Sequence, residues 1–123
     1  MARITIVLLL ILIPLGAFSQ SRKAQKAFDA WEAGEYYEAI DYFKDAYSKT
    51  RDRDEKSEYV FMVAQCYRLT NNPRSAASWY RKIAGKDNAR PEAAYWYAQV
   101  QKMNGRYEDA IEAFEEYSKL VPS

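Results

Sequence analysis

The 123-residue chain contains no histidine and a single cysteine, Cys66. Histidine is the commonest general base and the commonest metal ligand, so its absence argues against most hydrolytic and metal-dependent chemistry. One cysteine cannot form an intrachain disulfide, so stability must come from apolar packing. The sequence also lacks a glycine-rich phosphate loop. We therefore expect a protein that is not an enzyme and that holds no cofactor and no metal.

An excess of charge of one sign is also missing, because 18 Lys and Arg residues face 17 Asp and Glu residues. A nucleic-acid-binding protein would need a basic surface, so this function is not expected. The charge is nevertheless unevenly spread: residues 54–90 carry a balance of +3 and residues 91–123 a balance of −3. We interpret the acidic last segment as a solvated outer face, with an electrostatic docking edge as the alternative.

The N-terminal segment, residues 1–19, differs in kind from the rest. Arg3 is followed by an almost wholly apolar run over residues 4–15, and small residues stand one and three positions before Gln20. A basic start, a short apolar run and a small-x-small exit are typical of a secretory signal peptide. The run is shorter than the roughly 20 residues that a membrane span needs, although an uncleaved anchor remains the alternative.

Pro14 and Gly16 are expected to break any helix within this segment. We predict that residues 1–19 are a signal peptide that is cleaved before Gln20. The mature domain would then cover residues 20–123, with no membrane span after cleavage.

A ten-residue pattern occurs twice in the remaining chain, and a diverged copy lies between the two. Segments 34–43 and 105–114 both read Gly-x-Tyr-x-x-Ala-Ile-x-x-Phe, and segment 71–80 keeps Ala76 and an aromatic residue, Tyr80. The starts of the second and third copies are separated by about 34 residues, a spacing within the range of helical repeat arrays. Amphipathic stretches with helical spacing precede each copy, so the chain is expected to repeat a helical hairpin.

This pattern and period resemble the tetratricopeptide repeat. The resemblance implies an all-α fold of three antiparallel helix pairs stacked as a right-handed solenoid. The repeats would cover about 20–53, 54–90 and 91–123. The predicted helices are 22–33, 36–49, 55–70, 73–85, 91–104 and 107–120.

In proteins of this family, the ligand lies in a concave groove formed by the first helix of each pair. Repeat register places a set of aromatic, amide and cationic residues there, and such side chains can grip a peptide. The candidate partner-binding residues are Phe28, Trp31, Phe61, Gln65, Arg68, Tyr95, Gln99 and Lys102. Alternatively, the aromatic residues pack between helices. A carboxylate clamp is disfavoured, because Ala24 and Phe28 stand where Lys and Asn would be needed.

Two further features can be interpreted from position. Cys66 falls in mid-helix among apolar neighbours, so we expect a buried, inert thiol, with an exposed thiol as the alternative. The last predicted helix would leave an apolar face with no successor, formed by Tyr107, Ile111, Phe114 and Tyr117. Either the chain continues in a longer protein, or a partner covers this face.

A signal peptide followed directly by tetratricopeptide hairpins resembles the N-terminal part of exported, outer-membrane-associated proteins that carry an OmpA-like domain, including a component of type IX secretion. This resemblance implies a periplasmic scaffold that binds a protein or peptide partner in the cell envelope. The alternative is a regulatory or sensor module of a longer protein whose enzymatic domain lies downstream.

Overall fold

Residues 15–121 are described by a computed structural model, with side chains described from residue 22 onward. This part of the chain forms six helices and contains no strand. They are α1 (Leu15–Glu32), α2 (Tyr36–Lys49), α3 (Arg53–Leu69), α4 (Pro73–Arg81), α5 (Glu92–Met103) and α6 (Tyr107–Leu120). The predicted all-α class is therefore confirmed. None of these helices is long and apolar enough to cross a membrane.

Helix α1 begins earlier than the sequence predicts. It starts at Leu15, well before the expected start at residue 22, and it continues through Gly16. The prediction that Gly16 breaks a helix was therefore wrong, because one glycine in a helix costs only about 1 kcal/mol. Pro14 lies outside the described residues, as does most of the predicted signal peptide. Cleavage before Gln20 stays a prediction.

Three turns with the same hydrogen bonding connect the helices of each hairpin. Gly34, Asn71 and Gly105 have positive φ angles of 76°, 59° and 76°. In each turn the next residue's amide donates a hydrogen bond to a carbonyl of the preceding helix. The three bonds are Glu35 N to Ala30 O at 2.9 Å, Asn72 N to Tyr67 O at 2.8 Å and Arg106 N to Gln101 O at 2.8 Å. Asn71 replaces glycine here because asparagine tolerates the left-handed conformation.

Helix α4 is capped as its sequence predicts but ends early. The Asn72 side chain accepts a hydrogen bond from Ser75 N at 3.2 Å, and Pro73 occupies the first turn, where its missing N–H costs little. The helix stops at Arg81 instead of residue 85. Gly85, with φ of 75°, closes a turn over residues 82–85 and directs the chain towards α5.

The core lies between consecutive helices, and each helix packs mainly against the next along the chain. Ala39, Ala76 and Ala110 are all buried, as expected for small residues that let paired helices approach closely. Phe43 and Tyr80, one helical turn after the first two of these alanines, are fully buried. Phe114, one turn after Ala110, is only half-buried because α6 packs mainly on one helix, α5.

Candidate functional site

Helices α3, α4 and α5 meet at a polar cluster that contains two of the predicted groove residues. The guanidinium carbon of Arg68 lies 3.7 Å from the ring centroid of Trp96, in a stacked cation–π arrangement. Arg68 Nε donates to Gln65 Oε1 and to the Tyr80 hydroxyl, both at 3.3 Å. The Tyr80 hydroxyl in turn donates to Gln65 Oε1. The arrangement fixes the position of the Arg68 side chain between two hairpins.

The phenol of this cluster is buried and titrates only at high pH. Tyr80 is fully buried, and this burial raises the pKa of its hydroxyl to about 12, against the opposing effect of Arg68. Since the hydroxyl stays neutral at ordinary pH, it can act as the donor that orients Gln65. Gln65 and Arg68 are themselves half-buried, so each keeps part of its surface open to a ligand.

Phe61 is part of the core and not part of an open groove. Its side chain is 5% exposed and packs edge-on against Tyr80, with ring centroids 6.2 Å apart. The guanidinium carbon of Arg90 lies 5.3 Å from the Phe61 ring. Arg90 Nε donates to Glu58 Oε2 at 2.8 Å, and this bond raises the pKa of Arg90. The packing alternative therefore describes Phe61.

Phe28 and Trp31 contact aromatic residues of their own hairpin. Phe28 lies edge-on to Phe43 with centroids 5.0 Å apart, and Trp31 lies edge-on to Tyr36 at 5.2 Å. Both side chains are half-buried against the core. Each can offer an edge to a ligand, but their main role in the fold is to join α1 to α2.

Tyr95 and Gln99 form a pair that belongs to the α5–α6 hairpin. The Tyr95 ring lies 6.0 Å from Phe114 and 5.4 Å from Tyr117, centroid to centroid. Its hydroxyl accepts a hydrogen bond from Gln99 Nε2 at 2.9 Å. Tyr95 also lies edge-on to Trp96, with ring centroids 5.1 Å apart. It therefore touches the Arg68 cluster only through Trp96, the α5 residue on which Arg68 stacks.

Two exposed apolar residues that sequence reasoning missed lie beside the predicted cations. Leu69, which follows Arg68, is 42% exposed, and Met103, which follows Lys102, is 54% exposed. Lys102 is exposed as well. The two dipeptides are one repeat period apart and therefore share one position in their hairpins. This repetition of cation followed by large apolar residue was legible in the sequence.

We use the name α3–α5 surface for the open side chains of this region. They combine amide, cationic and apolar groups that peptides commonly contact. The surface comprises three residues of the cluster, Gln65, Arg68 and Trp96, together with Leu69, which follows Arg68, and with Lys102 and Met103 at the equivalent positions of the next hairpin.

Cys66 takes no part in this surface. It is fully buried, and burial raises the pKa of its thiol to about 12, so almost no nucleophilic thiolate exists near neutral pH. The prediction of a buried thiol is confirmed. Among residues 22–121, no group of three acidic or cysteine side chains is placed to hold a metal ion.

Stacked helical hairpins with repeated turns define the class of protein as a tetratricopeptide-like repeat protein. A family model described as anaphase-promoting complex, cyclosome, subunit 3 matches residues 32–117, and the chain belongs to this family of such repeats. The family takes its name from a subunit of that complex, and the name does not place the present chain in the complex. No curated protein matches the chain significantly in sequence.

Two solved structures have a similar fold. One is the type III secretion chaperone SycD of Yersinia enterocolitica in complex with a peptide of the translocator YopD, with a TM-score of 0.73 and 17% identity over 85% of this chain and 78% of that chain. The other is the Yersinia enterocolitica translocator chaperone SycD, with a TM-score of 0.70 and 17% identity over 87% and 78%. At this identity, the likeness establishes the fold alone. Membership of this repeat family supports a role in protein interaction.

Proposed function

We propose that this chain is a non-catalytic scaffold that binds a protein or peptide partner on the α3–α5 surface. The observation that carries the proposal is the repeated pair of an accessible cation and an exposed apolar residue, Arg68 with Leu69 and Lys102 with Met103. The two pairs stand at equivalent positions on successive hairpins, so a partner that extends across both hairpins would bury both apolar side chains.

The chemistry of the surface indicates the partner's chemistry. Leu69 and Met103 would bind apolar side chains of the partner, and Arg68 and Lys102 would bind carboxylates next to those side chains. The Arg68 side chain is already held by Trp96 and Tyr80, so binding would cost little of its conformational entropy. A short acidic and apolar segment meets these requirements. The peptide bound by the similarly folded chaperone SycD supports the idea by analogy of fold.

We place this scaffold in the cell envelope, on the strength of the sequence alone. The signal-peptide features of residues 1–19 support export, and the resemblance to the N-terminal part of OmpA-like and type IX secretion proteins supports assembly or anchoring near the outer membrane. A direct test is N-terminal sequencing of the protein recovered from the periplasmic fraction. A mature terminus at Gln20 supports this setting, and an intact Met1 in the cytoplasmic fraction contradicts it.

Site-specific photocrosslinking tests the surface itself. A benzophenone amino acid is placed at Met103 on the surface or at Tyr37, a 70% exposed residue of α2, in cells that make the protein. We expect a defined adduct from position 103 whose crosslinked peptide is acidic and apolar, and none of that adduct from position 37.

Charge variants complete the experiment. Lys102→Glu should weaken the adduct from position 103, whereas Lys26→Glu, the same change at an exposed site on α1, should leave it unchanged. The proposal is wrong if position 103 gives no adduct, if both positions give the same one, or if the two charge variants weaken it equally.

A further inference from the structure

A second pocket lies away from the α3–α5 surface and shares none of its residues. This basic crevice has a volume of about 330 Å³ and is bounded by α2, the first half of α3 and the segment after α4. Every charged residue in its lining is a cation: Arg53, Lys56, Lys82 and Lys86. None of the four makes an ion pair within residues 22–121, where the ion pairs involve other cations.

The positive charge of this crevice is a property of its side chains and not of the fold. One hairpin later, a pocket of about 300 Å³ has Ala94 and Glu116 in its lining, and these stand one repeat period after Val60 and Lys82 of the basic crevice. The charged residues of that later pocket are all carboxylates: Asp109, Glu112 and Glu116. At the one charged position that the two pockets share, Lys82 of the basic crevice thus corresponds to Glu116 of the later pocket.

A polar group without a partner stands at the wall of the basic crevice. Ser57 is 8% exposed and lines the pocket, and its hydroxyl makes no hydrogen bond to another described residue. No buried side-chain nitrogen or oxygen lacks a partner among the described residues, so the Ser57 hydroxyl is not fully buried and keeps some accessible surface. A hydroxyl left unpaired at a nearly buried position is available to a bound acceptor.

The connection between α4 and α5 holds the crevice in shape. Asn88 Nδ2 donates to the backbone oxygen of Arg53 at 3.3 Å, which ties this connection to the start of α3. Lys56 Nζ lies 5.4 Å from the ring centroid of Tyr47 across the pocket wall. Val60 and Ile83, 3% and 4% exposed, supply apolar lining.

We propose that the basic crevice binds a phosphate ester. Four cations without carboxylate partners and a free hydroxyl match the charge and acceptor oxygens of a phosphate group. Three of the four are lysines, which bind phosphate as point charges, and Arg53 can add a pair of parallel donors. The volume is within the range of small-molecule sites and exceeds the size of inorganic phosphate. The apolar lining at Val60 and Ile83 would then contact the organic part of the ester.

The test uses two sources of the same chemistry at constant ionic strength. In the soluble arm, glycerol phosphate is titrated into the protein and backbone amide shifts are followed by NMR. In the membrane arm, the protein is sedimented with phosphatidylcholine vesicles that contain or lack phosphatidic acid. We expect saturable shifts centred on Ser57 and Lys86, or sedimentation that requires phosphatidic acid. The first identifies a free ester and the second a lipid headgroup.

Matched variants separate a site from general charge attraction. Lys82→Glu with Lys86→Glu should weaken binding by about tenfold or more, since two charged contacts become repulsive. Arg22→Glu with Lys26→Glu changes the net charge equally on exposed positions of α1 and should leave binding unchanged. Ser57→Ala should weaken binding in a protein whose thermal unfolding is unaltered.

Two results would overturn the proposal: no binding in either arm, or an equal loss in both pairs of charge variants. Neither result bears on the α3–α5 surface, because its crosslinking experiment uses other residues outside the crevice.

Discussion

Arg68 shows how a single side chain joins two hairpins. Its guanidinium stacks on Trp96 of α5, in the next hairpin, and donates hydrogen bonds to Gln65 and Tyr80 of its own hairpin. Replacement by methionine keeps a similar stem but removes the cation–π contact and all three hydrogen bonds, two to Gln65 and one to Tyr80. We expect Arg68→Met to lower the free energy of unfolding by about 1–2 kcal/mol.

The matched control for this variant is Lys102→Met, at the equivalent but exposed position of the next hairpin. It removes the same charge without removing a stacked contact, so its effect should stay within about 0.5 kcal/mol. Urea denaturation of both variants measures the difference. Equal effects would mean that Arg68 acts through net charge and not through its contacts.

The buried thiol and phenol predict how stability depends on high pH. Burial raises the pKa of Cys66 from 9.0 to about 12 and that of Tyr80 from 10.0 to about 12. Each group therefore loses its proton more readily in the unfolded chain, so its contribution to stability is complete below its unfolded pKa and is lost as pH rises towards the folded value. We expect the free energy of unfolding to fall from about pH 9 upward.

Cys66→Ala isolates the contribution of the thiol. The variant should be less stable at neutral pH because it leaves a small cavity, but its stability should stay level until about pH 10, where the pKa shift of Tyr80 begins to act. Urea midpoints measured between pH 8 and 11 provide the comparison. If the stability of the variant falls between pH 9 and 10 as steeply as that of the unsubstituted protein, then the pKa of Cys66 does not differ between the folded and unfolded chain.

At the scale of helices, α2 and α6 carry the same motif in different surroundings. Ile40 is 6% exposed on α2, which packs against both α1 and α3. Ile111, at the same place in the motif, is 59% exposed on α6, which packs mainly on α5. We expect Ile40→Ala to cost about 2–4 kcal/mol and Ile111→Ala less than about 0.5 kcal/mol. Chemical denaturation at low protein concentration is the measurement. A similar cost at both sites would mean that the α6 face is covered in solution.

The helices were largely predictable because their signals are local. Turn glycines, the Asn72 cap and apolar spacing act within a few residues, and the bounds of α2 and α6 agree with the predicted 36–49 and 107–120. The end of α4 was not predictable, since residues 82–84 have ordinary helix propensity and only the path to α5 requires the turn at Gly85.

The candidate sites depend on contacts between distant segments, so the sequence predicted them only in part. Register predicted groove positions for Gln65 and Arg68, which the structure leaves half-buried, and their role in binding stays a prediction. It could not tell that Phe61 packs against Tyr80, or that Tyr95 packs against α6. The basic crevice combines three separate segments, and no local pattern joins Ser57 to Lys86.

At the scale of the whole molecule, stability should be graded along the chain, because each helix packs mainly against its neighbours in sequence. Helix α3 lies between α2 and α4 and buries eight residues, whereas α6 packs mainly on α5 and buries two. Local opening should therefore begin at α6. Native-state hydrogen exchange, read helix by helix, tests this gradient.

The comparison of α2 with α6 is the sharpest, since both have 14 residues and share the motif. We expect α6 amides to exchange at least about tenfold faster than those of α2, which is covered on both sides, and α3 amides to exchange slowest. Equal protection of α2 and α6 would contradict the conclusion that α6 is covered on one side only, by α5. Protection of α6 that grows with protein concentration would then identify a second copy as the cover, whereas protection independent of concentration would point to a contact within the same chain.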